Sequence, residues 1–304
     1  MSLLVVGTVA IDSVKTPFGT ADSVLGGSAT YFSVAASYFT TVRLVAVIGE
    51  DFPKEKLDVF AKHKINTDGL QTLPGKTFRW SGSYGYDLNM ATTLDTQLNV
   101  LTEFDPKLSD EAASRPFVFL ANVDPELQLK VIDQVTSPTL IALDSMNFWI
   151  ENKKDKLAEA ISRVNMVVIN EAEAREFAGT ASIMKAAKEI MKMGPQAVIV
   201  KQGEYGAMAL YGDEIFSAPA YPLEDVFDPT GAGDTFAGGV MGYLARHGEM
   251  NSDTIRQAMI VGSALASHNV ESFSLDRLTE IEFNDIVERY NEIKRITTFD
   301  DLHD

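Results

Sequence analysis

The most informative stretch of the chain is residues 225–243, which read DVFDPTGAGDTFAGGVMGY. Pro229 and Thr230 favour a turn, and the three residues that follow them are too small to block a ligand. A helical pattern starts at once and runs to about Arg246. Because backbone N–H groups at a helix N-terminus lack intrahelical partners, this segment predicts an anion-binding site.

Asp234 lies inside this predicted site, where a carboxylate has the wrong charge for a permanent anion ligand. Such an acid makes chemical sense if it takes a proton from a nucleophile that attacks a phosphoryl group. The alternative is a plain glycine-rich turn in which Asp234 is only a favourable acid at a helix N-terminus. Turn chemistry alone, however, does not require a second aspartate at Asp228.

The segment from Asp228 to Asp234, DPTGAGD, resembles the C-terminal signature of the ribokinase-like (PfkB) sugar and nucleoside kinases. The resemblance implies that Asp234 is the catalytic base and that the amides of Gly231, Ala232 and Gly233 form an anion hole. It also implies ATP and Mg²⁺ as cofactors, with Thr230 and Gly233 on the nucleotide. The expected reaction is phosphorylation of a hydroxymethyl group of a sugar or nucleoside.

Composition narrows the class of protein. The 304 residues are 45% hydrophobic, enough for a large core, and contain no cysteine, which excludes disulfides, cysteine-ligated zinc and thiol catalysis. The net charge of −17 argues against nucleic acid and anionic membranes as partners but leaves a small anionic ligand open. The first residues, MSLLVVG, lack the basic start of a signal peptide, and no apolar run approaches a membrane span. We therefore expect a cytoplasmic protein with a small-molecule substrate, namely a nucleoside, sugar or cyclic polyol.

Apolar runs typical of buried parallel strands alternate with helical patterns along most of the chain, which predicts an α/β fold with helices on both faces of a mainly parallel sheet. The resemblance makes this a three-layer α/β/α domain of ribokinase-like type. The predicted strands are Leu3–Val6, Leu44–Ile48, Phe117–Ala121, Leu140–Leu143, Met166–Ile169 and Ala197–Val200. The predicted helices are Thr30–Phe39, Lys54–His63, Glu126–Val135, Lys154–Val164, Glu171–Ala178, Ile183–Met193, Thr254–His268 and Ile281–Ile296.

Two polar segments, residues 13–25 and 78–101, break this rhythm and read as short antiparallel strands. They are either surface hairpins or, as the resemblance implies, a β-sheet lid that closes over the substrate and expels water. The predicted division is a core of residues 1–12, 26–77 and 102–304 and a lid of residues 13–25 and 78–101. A homodimer through the lid is a further expectation.

On the predicted substrate side, Asp12 follows an apolar run that we read as one strand, Leu3–Ile11. Ligands bind beyond the carboxyl ends of such strands, so Asp12 is either a substrate ligand, as the resemblance implies, or a solvated loop acid. Gly26, Gly27 and Ser28 resemble the N-terminal signature of the family and are expected to contact the substrate. Tyr31 stands where many members carry Asn and adds a ring that stacks or fills space.

Aromatic residues give a hint about the acceptor. Tyr31 joins three aromatic residues of the presumed lid, Trp80, Tyr84 and Tyr86. Four rings around one pocket would favour a ligand with a flat face, such as a nucleoside, over a sugar or a cyclic polyol. The alternative is that the lid aromatics pack on each other or on a second subunit.

On the predicted nucleotide side, Asn170 and Glu173 open a helix in a spacing typical of a capping box. The resemblance implies in addition that Asn170 lies near the nucleotide and that Glu173 binds Mg²⁺ through water. Lys201, Gly203 and Gly206 resemble the nucleotide loop of the family, with Lys201 in place of the usual Thr or Ser. Asp228 is expected to hold a monovalent cation such as K⁺, which some members need.

Two other functions are less consistent with the sequence. A non-catalytic sugar- or nucleoside-binding member of the family is disfavoured by the intact Asp234. A dinucleotide-dependent oxidoreductase would carry G-x-G-x-x-G after its first strand, but this strand has only Gly7 before Asp12. An ATP-dependent kinase is therefore the predicted function.

Overall fold

A computed structural model describes residues 2–302 and contains a nine-stranded sheet and a four-stranded sheet. In the large sheet the strand order is β13-β12-β11-β10-β9-β8-β1-β4-β5, and in the small sheet it is β3-β2-β6-β7. The strands are β1 Ser2–Val6, β2 Ala10–Thr16, β3 Gly19–Gly26, β4 Thr41–Gly49, β5 Asn66–Leu73, β6 Arg79–Tyr84, β7 Ala91–Gln97, β8 Phe117–Leu120, β9 Leu140–Leu143, β10 Met166–Asn170, β11 Ala197–Lys201, β12 Ala207–Tyr211 and β13 Glu214–Ala218.

Seven strands of the large sheet, from β5 to β11, run parallel, and the hairpin β12–β13 adds two antiparallel strands at one edge. The four central strands β1, β8, β9 and β10 are almost entirely buried, because helices cover both faces of the sheet. Their carboxyl ends meet at one edge of the sheet. Loops at that edge therefore converge, and ligand sites of open α/β sheets form there.

Helices form the outer layers, as predicted. Side chains of α1, α9 and α10 build the core on one face of the sheet, and those of α4, α6 and α8 build the core on the other. The helices are α1 Ser28–Ser37, α2 Asp58–Lys62, α3 Asp110–Ala113, α4 Pro125–Ile132, α5 Asn147–Asn152, α6 Lys154–Ile161, α7 Glu171–Ala178, α8 Ile183–Met191, α9 Ala232–His247, α10 Ser252–Asn269, α11 Asp276–Glu280 and α12 Phe283–Thr297.

The small sheet has mixed topology, which corrects the prediction of antiparallel strands alone. Each of its two hairpins, β2–β3 and β6–β7, is antiparallel, but the hairpins join through the parallel pair β2–β6. Ile11 pairs with Arg79, and Lys15 pairs with Ser83. The two chain segments are therefore hydrogen-bonded into one sheet instead of lying as separate hairpins.

The predicted single strand Leu3–Ile11 is wrong, because β1 ends at Val6 and β2 begins at Ala10 in the other sheet. Residues 10–12 therefore lie in the small sheet, although they were assigned to the core. Strands β5, β12 and β13 were not predicted. The edge strands β5 and β13 lack a continuous apolar run, since edge strands are covered by fewer neighbours than central ones, whereas β12, with the sequence AMALY, is continuously apolar and was overlooked.

Candidate active site

The N-terminus of α9 is shaped by Gly231, which precedes the helix in the left-handed conformation with φ 76°. A Cβ atom at this position would lie 2.4 Å from the Tyr31 ring. Only glycine therefore permits both the backbone turn and the packing of Tyr31 beneath it. The Ala232 N–H donates to the Pro229 carbonyl at 3.2 Å and the Thr235 N–H donates to the Gly231 carbonyl at 2.8 Å, so the N–H groups of Gly233 and Asp234 are the ones that this helix N-terminus leaves for an anion.

Asp234 lies in the first turn of α9, and its pKa is raised to about 7. Desolvation is the main cause, and the negative charge of Asp144 adds to it, while the positive charge of Lys201 acts in the opposite direction. A carboxyl group with a pKa near neutrality can both accept and release a proton at physiological pH. Asp234 thus has the acid–base property that a general base needs.

Lys201 connects the ends of three strands. Its Nζ lies 2.6 Å from Asp144 Oδ2, and a Cβ atom at Gly233 would lie 3.2 Å from the same Nζ. Burial alone would lower the pKa of Lys201, but the carboxylates of Asp144, Glu173 and Asp234 outweigh it and raise the pKa. The lysine therefore stays cationic next to the N-terminus of α9. The positive charge and the helix N-terminus together favour binding of an anion.

Asn170 and Glu173 form the predicted capping box of α7. Asn170 Oδ1 accepts from the Glu173 N–H at 2.8 Å, and Glu173 Oε2 accepts from the Asn170 N–H at 3.0 Å. Glu173 is buried, and its pKa is raised to about 8 by desolvation and by the charge of Asp144, against the effect of Lys201. The structural part of the prediction is confirmed, and the metal and nucleotide roles of the two residues stay predictions.

Asp12 is buried in β2 and packs directly against Gly26, where a Cβ atom would lie 1.8 Å from Asp12 Oδ2. Desolvation raises its pKa to about 7, a hydrogen bond from the Gly27 N–H opposes the rise, and Asp228 and Asp234 add to it. Its Oδ1 is buried without a hydrogen-bond partner among residues 2–302. An unpaired buried carboxylate oxygen is costly, which is consistent with the predicted role of Asp12 as a substrate ligand, and that role stays a prediction.

Asp228 fastens the loop before α9. Its Oδ1 accepts from the Thr230 N–H at 2.9 Å, and its Oδ2 accepts from the Ser274 N–H at 3.0 Å. Asn269 completes this clasp by donating to the Thr230 carbonyl at 3.0 Å. Both carboxylate oxygens thus hold backbone, and the role of Asp228 as a cation ligand stays a prediction.

The small sheet crosses over this loop. Thr230 Oγ1 donates to Tyr84 Oη at 3.3 Å, so the end of β6 touches the segment that precedes α9. Beyond β6, Asn89 Oδ1 accepts from the Glu204 N–H at 3.1 Å, in the loop that holds Gly203. The small sheet therefore spans the carboxyl edge of the large sheet from the Asp12 side to the loop after β11.

The four aromatic residues do not surround one pocket, which corrects the argument made from them. Tyr31 is fully buried against Gly231 and fills space. Trp80 packs over Gly82 within its own sheet, and Tyr86 is 97% exposed. Of the four, only Tyr84 is hydrogen-bonded to the Thr230 segment.

Other predicted residues serve the local structure. Ser28 exchanges hydrogen bonds with Thr8, with 3.0 Å between the two hydroxyl oxygens and 2.9 Å from the Ser28 N–H to Thr8 Oγ1. Gly206, with φ 94°, closes the short loop after β11, in which the Gln202 N–H donates to its carbonyl at 2.8 Å. Direct contacts of Ser28, Gly203 and Gly206 with ligands stay predictions.

Sequence reasoning missed Asp144. It follows β9 immediately, so the rule that pointed to Asp12, a carboxylate at the end of a buried strand, would also have found it. A second missed group is Asn122, at the end of β8, whose Oδ1 accepts from Trp149 Nε1 at 3.0 Å. Neither residue belongs to a recognisable motif, so only their position at the sheet edge indicates a role.

The assembled site therefore contains Asp234, a buried acid with a pKa near neutrality at a helix N-terminus, the cation Lys201 beside it, and a second buried acid, Asp12, whose pKa is raised in part by the charge of Asp234. Among residues 2–302 there is no cluster of three or more His, Asp or Glu side chains arranged to hold a metal ion. The same part of the chain contains no helix long and apolar enough to cross a membrane.

Comparison with known proteins decides which family this arrangement represents. The family model described as pfkB family carbohydrate kinase matches residues 4–281. The chain belongs to the pfkB family. Members of this family are phosphotransferases that act on alcohol groups, so the protein is a kinase, and its family implies the use of ATP.

Individual relatives agree with the pfkB family. The cytidine kinase of Thermococcus kodakarensis is 30% identical over 251 residues, which are 81% of this chain and 89% of that protein. The nucleoside kinase structure of Methanocaldococcus jannaschii superposes with a TM-score of 0.76 at 21% identity, covering 96% of this chain and 98% of that one. The Burkholderia thailandensis nucleoside kinase in complex with inosine gives a TM-score of 0.76 at 18% identity, covering 95% and 97%. These structures confirm the ribokinase-like fold.

Proposed function

We propose that this protein is an ATP-dependent nucleoside kinase that phosphorylates the exocyclic hydroxymethyl group of a pyrimidine nucleoside such as cytidine. The observation that carries the proposal is Asp234, a buried acid with a pKa near 7 in the first turn of α9. The similarity to a cytidine kinase over most of both chains supports a nucleoside as acceptor.

In the proposed reaction, Asp234 accepts the proton of the acceptor hydroxyl as its oxygen attacks the γ-phosphorus of ATP. The backbone N–H groups of Gly231 and Gly233 stabilise the charge on the transferring group, and that of Ala232 joins them once it leaves the Pro229 carbonyl. Lys201 lies beside Gly233 and adds a positive charge on the same side. Asp12, with its unpaired Oδ1, binds sugar hydroxyls and orients the acceptor.

The donor set fits magnesium that arrives with the nucleotide. Mg²⁺ keeps several waters and is commonly held by one or two carboxylates together with phosphates, so no three-carboxylate cluster is required. Glu173 uses Oε2 in the capping box, which leaves Oε1 for a metal-bound water. Bound there, Mg²⁺ would neutralise phosphate charge next to Asn170. For K⁺ at Asp228 we derive no step, because both carboxylate oxygens already accept backbone N–H groups.

Charge at the substrate side favours an uncharged acceptor. Asp12 experiences the negative charges of Asp228 and Asp234. The lid cation Arg79 forms an ion pair with Asp51 at 2.8 Å, so its charge is already balanced. Its hydrogen bond helps to lower the pKa of Asp51, against the effect of burial. A phosphorylated sugar would bring two more negative charges into this environment. A free nucleoside or a free sugar avoids that repulsion.

The exposed side of the small sheet supports the proposal of a homodimer through the lid. Every residue of the edge strand β7 is exposed, including Leu94 at 61%, and Met90, which precedes the strand, is 69% exposed. An unpaired edge with apolar side chains is prone to pair with a second copy. Light scattering should show a dimer that Leu94→Lys weakens, and a monomeric wild-type protein would contradict the proposal.

The test of the proposed function is a kinase assay with a panel of acceptors. We expect ADP formation with Mg²⁺-ATP and cytidine, weaker turnover of other nucleosides, and little with ribose, fructose, myo-inositol or fructose 6-phosphate. Robust phosphorylation of a hexose with none of any nucleoside would replace the acceptor and keep the kinase. Absence of turnover with every acceptor, although ATP binds, would favour a non-catalytic binding protein.

A further inference from the structure

The tip of the lid contacts the loop that follows β11. Asn89, in the turn between β6 and β7, accepts from the Glu204 N–H at 3.1 Å and donates through Nδ2 to Glu204 Oε1 at 3.0 Å. The neighbouring Gly203 has φ 58°, and a Cβ atom there would lie 2.0 Å from Asn89 Oδ1. One side chain of the lid therefore meets both the backbone and a side chain of this loop.

The two ends of this contact belong to different halves of the site. The lid is continuous with β2, which carries Asp12, through the parallel β2–β6 pairing. The loop is continuous with Lys201, whose Nζ lies beside Gly233 and Asp144. Asn89 thus joins the half proposed to hold the nucleoside to the half proposed to hold ATP.

We propose that Asn89 is a positioning residue that couples closure of the lid to binding of the nucleotide. The proposal rests on the proposed ATP site at the loop after β11. The contact with Glu204 forms only when the lid lies over the loop, so a nucleotide that orders this loop also favours the closed lid. By thermodynamic linkage, a closed lid must then raise the affinity for the nucleotide by the same factor.

Residue chemistry supplies a specific variant. Asn89→Asp keeps the oxygen that accepts from the Glu204 N–H but replaces the amide donor with a carboxylate opposite Glu204. Adding Glu204→Gln supplies a donor that faces the new carboxylate and restores the pair. Recovery will be partial, because Asn89 Nδ2 also donates to Asp87 Oδ1 at 3.2 Å, and that bond is not restored.

The experiment is amide hydrogen exchange of residues 85–91 with and without Mg²⁺ and the non-hydrolysable nucleotide AMP-PNP. Binding of AMP-PNP should slow exchange of these residues in the wild type and should leave it almost unchanged in Asn89→Asp. In the paired variant, Asn89→Asp with Glu204→Gln, the slowing should return in part. In steady-state assays Asn89→Asp should raise KM for ATP about threefold to tenfold with kcat within about twofold, as expected for losing one or two exposed hydrogen bonds. The control Gln97→Ala, at the other end of β7, should behave as the wild type.

Three results would overturn the proposal: no slowing in the wild type, equal slowing in wild type and Asn89→Asp, or no recovery in the paired variant. The exchange measurement uses no acceptor, so it remains decisive even if cytidine proves to be the wrong substrate. Failure of the kinase assay with every nucleoside would change the acceptor without changing this result.

Discussion

At the scale of single residues, the site contains two aspartates with different surroundings, Asp144 after β9 and Asp234 in the first turn of α9. Asp144 forms an ion pair with Lys201 at 2.6 Å, whereas no such ion pair is found for Asp234 among residues 2–302. Burial raises the pKa of Asp234 to about 7, which is the property that the proposed role as general base requires.

The first prediction concerns this base. Asp234→Asn keeps the size of the side chain and removes the proton acceptor, so kcat should fall by about 10²–10⁴-fold, the usual contribution of a general base. Calorimetry should show that AMP-PNP still binds, because the N–H groups of α9 are unchanged. Asp225→Asn, an exposed acid earlier in the same segment, is the matched control. Near-normal turnover of Asp234→Asn would refute the assignment.

The second prediction follows from the pKa of about 7 of Asp234. A general base works in its deprotonated form, and kcat/KM for the acceptor reports the pKa of the free enzyme, so kcat/KM should rise with pH between about 6 and 8 and then level off. The measurement is the initial rate at low acceptor concentration and saturating ATP across this range. A rate that is flat from pH 6 to 9 would show that another group, or none, controls proton removal.

At the scale of elements, variants in the first turn of α7 can distinguish the capping role of Asn170 and Glu173 from the proposed metal role of Glu173. Asn170→Ala removes the cap, so the free energy of unfolding should fall by about 1 kcal/mol in denaturant titrations. Glu173→Gln keeps an oxygen that accepts from the Asn170 N–H, so stability should be retained. This third prediction adds that Glu173→Gln raises the Mg²⁺ concentration needed for half-maximal rate; an unchanged Mg²⁺ response would leave Glu173 with the capping role alone.

The fourth prediction concerns the turn that starts α9. Gly231→Ala places a Cβ atom against the Tyr31 ring in a left-handed backbone, and strain together with overpacking should cost about 2–4 kcal/mol of unfolding free energy. Gly85→Ala is the control, because a Cβ atom there would meet nothing within 4 Å. Equal stability of the two variants in thermal denaturation would contradict this account.

At the scale of the whole molecule, the elements with continuous apolar or helical patterns could be predicted from the sequence. The features that depend on pairing between distant strands or side chains could not. The buried central strands β1, β8, β9 and β10 and the long helices α9 and α10 have unbroken signals. Edge strand β5, with the sequence NTDGLQTL, has none. Likewise the motif around Asp234 could be recognised, and the position of Asp144 after a predicted strand was open to the same rule as Asp12, but its pairing with Lys201 required the fold.

The fifth prediction concerns stability and pH. The pKa values of Asp12 and Asp234 are raised to about 7 and that of Glu173 to about 8, all above their unfolded values near 4. Between about pH 5 and 8 these three groups therefore bind more protons in the folded than in the unfolded state, and together they outweigh His63, whose pKa is lowered by burial and which acts in the opposite direction, so stability should fall as pH rises. Glu271, with its pKa lowered to about 2, acts only below this window. Thermal melting of the free enzyme should show this decline and a shallower one for Asp234→Asn; a midpoint that rises from pH 5 to 8 would contradict it.

The position of β1 within the sheet also has a consequence for folding of the chain during its synthesis on the ribosome. This strand is synthesised before both of its neighbours in the sheet, β4 and β8, which begin at Thr41 and Phe117. At ordinary translation rates the apolar segment from Leu3 to Val6 waits roughly 6–20 s for its second neighbour to be synthesised. During that time its backbone is unpaired and its apolar side chains are exposed to aggregation. Efficient production of this kinase in a cell should therefore depend on chaperones that bind nascent chains.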